Sequence, residues 1–261
     1  MAANENSKDL LSVLWAGADI LRGKMDANEY KNYLLGIVFY KYLSDTFLTH
    51  VYDLLNNEKP ESMAEAQAAY EEVYSTEDAE ELLEDIKESY HYTIEPELTY
   101  TKLAEAASKN AFQREMLKKA FNHVEQSDPI FANLFADVDL YSTRLGSGEQ
   151  KQSATVAEVV KKINEADLLN HEGDVLGDAY EYLIGQFASE TGKKAGEFYT
   201  PQAVSQILTR VAIQGQEDKQ GLLVYDAAMG SGSLLLNARK FSHKPDYIRY
   251  FGQELSTTTY N

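Results

Sequence analysis

Apolar and polar positions in the first part of the chain alternate with the period of a helix. Apolar side chains recur every three or four residues over 8–22 and again over 27–56, and Gly23 separates the two segments. This spacing predicts two amphipathic helices, the second capped by Asp26 or Asn28. The side chains predicted to form their shared buried face are Leu10, Leu11, Leu14, Ala18, Leu21, Tyr30, Tyr33, Leu34, Ile37, Val38 and Tyr42.

The helical pattern continues to about residue 150. Two exposed helices are expected over 61–92, divided near Ser75, and a third restarts near Thr99 after a proline. A long polar loop follows, and its glycine-rich stretch 146–148 is the position where a domain boundary is most expected. The pattern therefore predicts a helical N-terminal domain over 1–150 and a second domain over 151–261.

The second domain mixes helical segments with short apolar runs. Helices are predicted over 154–169, 174–192 and 201–213, and strands at "GLLVYDAA" (221–228) and "YIRYFGQE" (247–254). Strands that alternate with helices are typical of α/β domains built on a parallel sheet. We therefore expect a Rossmann-like α/β domain after the helical one.

Composition narrows the range of functions. The formal net charge of −18 argues against a broadly basic nucleic-acid-binding surface. However, residues 58–97 alone hold 14 acidic residues and two basic ones, so the excess is local. This run is interpreted as a solvated helix face, with a docking surface for a basic partner as the alternative. Cysteine is missing from the sequence, which excludes disulfides and thiolate metal sites; no metal and no membrane partner are predicted, and a cytoplasmic location is expected.

A glycine turn follows the first predicted strand. Asp226 ends the strand, and Gly230-Ser231-Gly232 precedes the next helix. The dinucleotide fingerprint fails because Leu235 stands where its third glycine belongs, and no Gly-Lys-Ser/Thr follows as in a phosphate loop. The remaining pattern lets a ligand approach the backbone closely without demanding a pyrophosphate. It favours an adenosyl ligand such as S-adenosylmethionine, and a tight strand–helix connection is the alternative.

Two further features accompany the turn. Glu254 follows the second strand at a spacing that suits hydrogen bonds from ribose hydroxyls, although acids also occur at strand ends for no such reason. The stretch "GKKAGEFYTP" places Phe198 and Tyr199 before a helix start that Thr200 can cap. These two aromatic side chains are candidates to form one wall of the pocket.

Four stretches resemble the modification subunit of type I restriction-modification systems. They are residues 14–45, 174–201, 226–232 and 252–261, in the order that the family has them. The resemblance implies an adenine-N6 DNA methyltransferase that uses S-adenosylmethionine. The positions that it implies as cofactor-binding are Glu197, Phe198, Tyr199, Thr200, Pro201, Asp226, Gly230, Ser231, Gly232 and Glu254.

The chain differs from the family pattern at two positions, and the resemblance also implies binding partners. Ala227 stands where the family usually has proline, and Met229 where it usually has a small residue before the first glycine. The motif that contacts the target adenine follows these stretches in the family, so we expect it beyond Asn261, with no catalytic residue in this chain and no activity alone. The implied partners are a specificity subunit, a second modification subunit, a restriction subunit and double-stranded DNA. The alternative is a non-enzymatic module for subunit assembly.

Overall fold

Seven helices are described in the first part of the chain. In the computed structural model, the described residues are 5–169, 182–183, 186–187, 200, 202–230 and 232–255. The helices of the first part are α1 (Glu5–Leu21), α2 (Ala27–Asn56), α3 (Met63–Tyr74), α4 (Ala79–Tyr90), α5 (Tyr100–Ser108), α6 (Arg114–Ser127) and α7 (Glu149–Asn164). The chain divides into two compact units, Met1–Leu183 and Ile184–Asn261, which are described separately.

The two predicted N-terminal helices are confirmed. Gly23 lies between them with a φ of 86°, a conformation that glycine adopts at little cost. The predicted buried face forms the core of α1 and α2, except that Leu11 and Tyr42 are only half-buried. The buried members are Leu10, Leu14, Ala18, Leu21, Tyr30, Tyr33, Leu34, Ile37 and Val38.

Buried tyrosines connect the helices of the first unit to distant backbone. The Tyr40 hydroxyl donates to the Leu98 carbonyl at 2.8 Å, and the Tyr100 hydroxyl donates to the Val160 carbonyl at 3.0 Å. Burial raises the pKa of both phenols, so both stay protonated as donors. Each ring therefore adds packing area and also satisfies a carbonyl that water does not reach.

The Tyr40→Phe variant is expected to lower the free energy of unfolding by about 1–2 kcal/mol, because the buried Leu98 carbonyl loses its donor. Urea unfolding followed by circular dichroism measures this difference. Tyr74→Phe is the matched control, since Tyr74 is exposed, and its effect is expected to stay within about 0.5 kcal/mol. Equal effects of the two substitutions would contradict a role for the Tyr40 hydroxyl.

The acidic segment forms the two exposed helices that the pattern predicts. Ser62 caps α3 by accepting from the Glu65 amide, and the helix ends at Tyr74, next to the expected division. In α4, Ile86 is the fully buried position, and the acidic side chains cover the surface. Within the described residues, no helix is both long enough and apolar enough to cross a bilayer.

Helix α7 packs with the first unit, although the sequence predicted a domain boundary near residue 150. Its apolar face is buried, with Val156, Val160 and Ile163 almost fully shielded from solvent. The packing against α1 is close: a Cβ atom placed on Gly17 would lie 2.8 Å from the Ile163 Cδ1 atom. The division between units accordingly falls after Leu183.

The second unit contains the predicted strands as a parallel pair. Its described elements are α8 (Gln202–Ile213), β1 (Leu223–Asp226), α9 (Ser233–Leu236), α10 (Ala238–Phe241) and β2 (Arg249–Gly252). β1 pairs with β2 so that Tyr225 lies opposite Phe251 and Asp226 opposite Gly252. A short 3₁₀ turn, Pro245–Tyr247, precedes β2.

One face of this strand pair is packed, and the other is open. Val224 and Tyr250 face a small core of Ile213, Leu222, Ala238 and Ile248. Leu223, Tyr225 and Phe251 occupy the alternate positions and are 64%, 61% and 51% exposed. The packed face fixes the register, because a slip of one residue would exchange the two faces.

Candidate cofactor site

The turn after β1 is built from backbone hydrogen bonds and two glycines. The Asp226 carboxylate accepts from the Ala228 amide at 2.9 Å, and the Gly232 amide donates to the Met229 carbonyl at 2.9 Å. Gly230 and Gly232 have φ angles of 57° and 76°, which side chains with a Cβ adopt only with strain. The glycines are therefore required by the shape of the turn.

The turn after β1 is joined to the loop after β2. The Gln253 amide donates to the Asp226 carbonyl at 2.9 Å, and the Met229 amide donates back to the Gln253 carbonyl at 2.9 Å. The Gly230 amide donates to the Glu254 carboxylate, also at 2.9 Å. Because the carboxyl ends of parallel strands meet at one edge of a sheet, the two predicted site features come into direct contact here.

A side-chain contact adds to this junction. The Tyr225 hydroxyl donates to the Gln253 side-chain oxygen at 3.0 Å. Tyr225 is the last residue before Asp226 on β1, and Gln253 is the first after β2. No role was predicted for Gln253, although its position between Gly252 and Glu254 was a signal for one.

Polar side chains hold the helix after the turn against α8. The Asn237 side-chain amide donates to the Ser205 hydroxyl at 2.6 Å, and the Thr209 hydroxyl donates to the Leu234 carbonyl at 3.3 Å. Ser205, Thr209 and Asn237 are all buried. These hydrogen bonds were not predicted from the sequence, although Ser205 and Thr209 lie four residues apart and therefore share one helix face.

The predicted site residues fall into three groups. The structure brings Asp226, Gly230, Gly232 and Glu254 together at the edge of the strand pair. Thr200 is described and half-buried. The remaining predicted positions lie outside the described residues; they are Glu197, Phe198, Tyr199, Pro201 and Ser231.

The space beside the turn suits a ligand that approaches the backbone. A Cβ atom placed on Gly230 or Gly232 would meet no atom of the described residues within 4 Å. The carboxylates of Asp226 and Glu254 lie at the same edge and accept hydrogen bonds, as hydroxyl and amino groups of a ligand require. An acid in the position of Glu254 would repel a ribose 2′-phosphate, so the described groups suit a ligand that lacks one.

Comparison with known protein families gives two matches that together span most of the chain. The HsdM N-terminal domain family matches residues 10–163, and the N-6 DNA Methylase family matches residues 171–261. The boundary between the matches lies beyond α7, which ends at Asn164. The matches therefore assign α7 to the helical region, as its packing does.

Individual relatives carry the same assignment. The methylase subunit of the type I restriction enzyme MpnII from Mycoplasma pneumoniae is 32% identical over 95% of this chain and 47% of its own length. The MjaVIII methylase subunit from Methanocaldococcus jannaschii is 30% identical over 97% of this chain and 39% of its own length.

A solved structure is also similar. The type I restriction-modification methyltransferase subunit from Streptococcus thermophilus is 54% identical, with a TM-score of 0.92 over 97% of this chain and 54% of that one. The chain thus spans 39–54% of the length of these three relatives. On the family match that covers more than half of its residues, the chain belongs to the family of type I restriction-modification methylase subunits.

Proposed function

We propose that the chain supplies the helical region and the first part of the cofactor site of a DNA adenine-N6 methyltransferase that uses S-adenosylmethionine. One observation carries the proposal: the Gly230 amide and the Glu254 carboxylate, predicted as parts of one site from separate motifs, lie 2.9 Å apart. The match of residues 171–261 to the N-6 DNA Methylase family supports the reaction class.

Each residue has a defined role in this proposal. The two glycines let the ligand lie against the backbone of the turn, and Asp226 holds that turn through its bond to the Ala228 amide. Glu254 accepts hydrogen bonds from the ribose hydroxyls while it holds the Gly230 amide. Phe198, Tyr199, Thr200 and Pro201 are proposed to close over the methionine portion, and Glu197 and Ser231 are proposed as further cofactor-binding positions.

The reaction needs positioning above all. S-adenosylmethionine, when bound, supplies a methyl group that is already activated on a sulfonium. The protein then has to hold that methyl in line with the exocyclic amine of an adenine. The adenine must leave the base stack first, because its amine is paired and shielded in the duplex.

The wider assembly follows from the family. We propose that the complete enzyme joins a specificity subunit, a second modification subunit and a restriction subunit on double-stranded DNA in the cytoplasm. In this proposed assembly, the partner that reads the target sequence supplies most of the DNA contacts. This chain then needs no broadly basic surface, which is compatible with its net charge of −18.

A panel of ligands tests the proposed cofactor. S-adenosylmethionine and its demethylated product are expected to raise the melting temperature of the chain, since ligand at a hundredfold excess over Kd adds about 2.7 kcal/mol of stability. NAD and ATP, tested at the same concentration by differential scanning fluorimetry, are expected to have no effect. A larger shift with NAD or ATP would contradict the proposal.

A second experiment addresses catalysis. The chain alone, incubated with DNA and S-adenosylmethionine labelled on its methyl group, is expected to transfer no label, because the residues that contact adenine are proposed to lie outside it. Label on DNA is counted after acid precipitation, with an intact adenine methyltransferase as the positive control. Label above the no-protein background would contradict the proposed division of the site.

A further inference from the structure

Met229 and Gly252 fit together at the junction between the two loops. A Cβ atom placed on Gly252 would lie 2.1 Å from the Met229 Sδ atom, 3.2 Å from its Cγ and 3.3 Å from its Cβ. Real Cβ atoms essentially never approach another heavy atom as closely as 2.1 Å. The thioether of Met229 therefore occupies space that any side chain at position 252 would need.

A side chain at position 252 would need the space of two Met229 atoms, Sδ and Cγ. Rotation about the outer side-chain bonds moves the Sδ atom away, but the Cγ atom, at 3.2 Å, moves only with rotation about the Cα–Cβ bond. Contacts of 3.2 and 3.3 Å require the neighbour to give way by a few tenths of an ångström. If the backbone of the glycine turn takes up part of this shift, the turn moves away from β2.

The backbone at this point connects directly to the proposed ribose-binding acid. The Met229 amide donates to the Gln253 carbonyl, and the next amide, that of Gly230, donates to the Glu254 carboxylate. A shift of the turn away from β2 lengthens both hydrogen bonds. Distances near 2.9 Å leave little room for such a change before the bonds weaken.

We infer that Met229 and Gly252 are a matched pair of positioning residues, which set the separation between the glycine turn and Glu254. Gly252 is required because Met229 is large, and Met229 in turn fills the space that a glycine leaves at the end of β2. The functional part of this inference rests on the proposed cofactor role of Glu254. The pair contacts neither the cofactor nor the target base in this account, and it acts through Glu254.

The test is a double-substitution cycle on the 261-residue chain, with S-adenosylmethionine affinity measured by calorimetry. Gly252→Ala is expected to raise Kd about tenfold, as expected for overpacking of a close contact. In Met229→Ala/Gly252→Ala the Sδ and Cγ contacts are removed and only the 3.3 Å contact with the Cβ at position 229 remains, so Kd is expected to return to within about threefold of that of Met229→Ala alone. A double variant that binds as weakly as Gly252→Ala, or more weakly, would overturn the pairing.

Hydrogen exchange of single amides provides a readout that needs no cofactor. In the unliganded chain, the Gly230 amide is expected to exchange at least tenfold faster in Gly252→Ala, and at the original rate in the double variant. The Arg249 amide, which donates to the Leu222 carbonyl within the same unit, is the reference and is expected to keep its rate.

These measurements separate two kinds of failure. If the original chain binds no S-adenosylmethionine, the proposed function fails, and exchange at Gly230 still decides the positioning role. If Gly252→Ala leaves the Gly230 amide unchanged, the positioning role fails whatever the cofactor affinity. If Gly252→Ala unfolds the second unit, recovery of Arg249 and Gly230 protection in the double variant supports the pairing, and no recovery overturns it.

Discussion

Lys41→Met is expected to lower the free energy of unfolding of the helical unit by about 3–5 kcal/mol. Lys41 and Asp45 lie one turn apart on α2, form an ion pair and are each only 3% exposed. The Lys41 ammonium also lies 5.5 Å from the centre of the Tyr100 ring, a favourable cation–π position. Removal of the ammonium leaves the Asp45 carboxylate buried without its partner, which costs far more than the pair itself contributes.

The loss should depend on pH in a defined direction. Burial raises the pKa of the Asp45 carboxyl above its ordinary value, and the neighbouring Lys41 opposes that rise. In Lys41→Met this lowering effect of the ammonium is lost, so the pKa of Asp45 in the folded state rises further above its pKa in the unfolded chain. Stability conferred by the protonated carboxyl is then lost as pH rises. The deficit of the variant is therefore expected to be smaller near pH 5 than at pH 7.

Urea unfolding of the original chain and the variant at both pH values measures these effects. Lys41→Met/Asp45→Asn removes both charges and is expected to recover part of the loss at neutral pH. Lys109→Met is the matched surface control: its partner Glu105 is exposed, and an effect within about 1 kcal/mol is expected. An equal deficit of Lys41→Met at both pH values would show that the burial of an unpaired carboxylate is not the cause.

Glu254→Ala is expected to weaken S-adenosylmethionine binding by about 1–3 kcal/mol, which corresponds to a roughly five- to 150-fold higher Kd. The carboxylate has two tasks in this account: it accepts from the ribose hydroxyls, and it holds the Gly230 amide. Its loss removes one ligand contact and leaves the glycine turn less firmly held, so both effects lower affinity.

The control for Glu254 is another acid of the same unit. Asp218→Ala also removes one negative charge, and its carboxylate is largely exposed beside His243. It is expected to leave the Kd unchanged by calorimetry. If the two alanine variants bind equally well, Glu254 is an ordinary acid at the end of a strand.

Much of the helical unit could be predicted because its packing depends on local periodicity. Apolar residues such as Leu14 in α1 and Ile37 in α2 recur every three or four positions, and that repeat alone identifies the buried side of each helix. The end of the unit could not be predicted in this way. The sequence of α7 shows an apolar face, but it does not show whether that face packs on earlier or later elements. The glycine-rich loop near residue 150 therefore suggested a domain boundary before α7, whereas α7 packs with the first unit.

The part of the candidate site that lies at the ends of the two strands could be predicted from the sequence. A strand, a glycine turn and an acid after the next strand suffice to place Gly230 near Glu254. The contact between Met229 and Gly252 depends on the register that sets Asp226 opposite Gly252. That register follows from packing of the strand pair and has no signal in either motif. The same holds for Asn237 and Ser205, which are 32 residues apart in the chain.

Isothermal calorimetry of S-adenosylmethionine with the 261-residue chain tests the proposed cofactor site most directly. Saturable binding of one cofactor per chain is expected, because the glycine turn and Glu254 lie in contact at one edge of the strand pair. No heat of binding at millimolar cofactor, from a chain whose second unit is shown to be folded, would contradict it. That result would favour the alternative role of the chain as a module for subunit assembly.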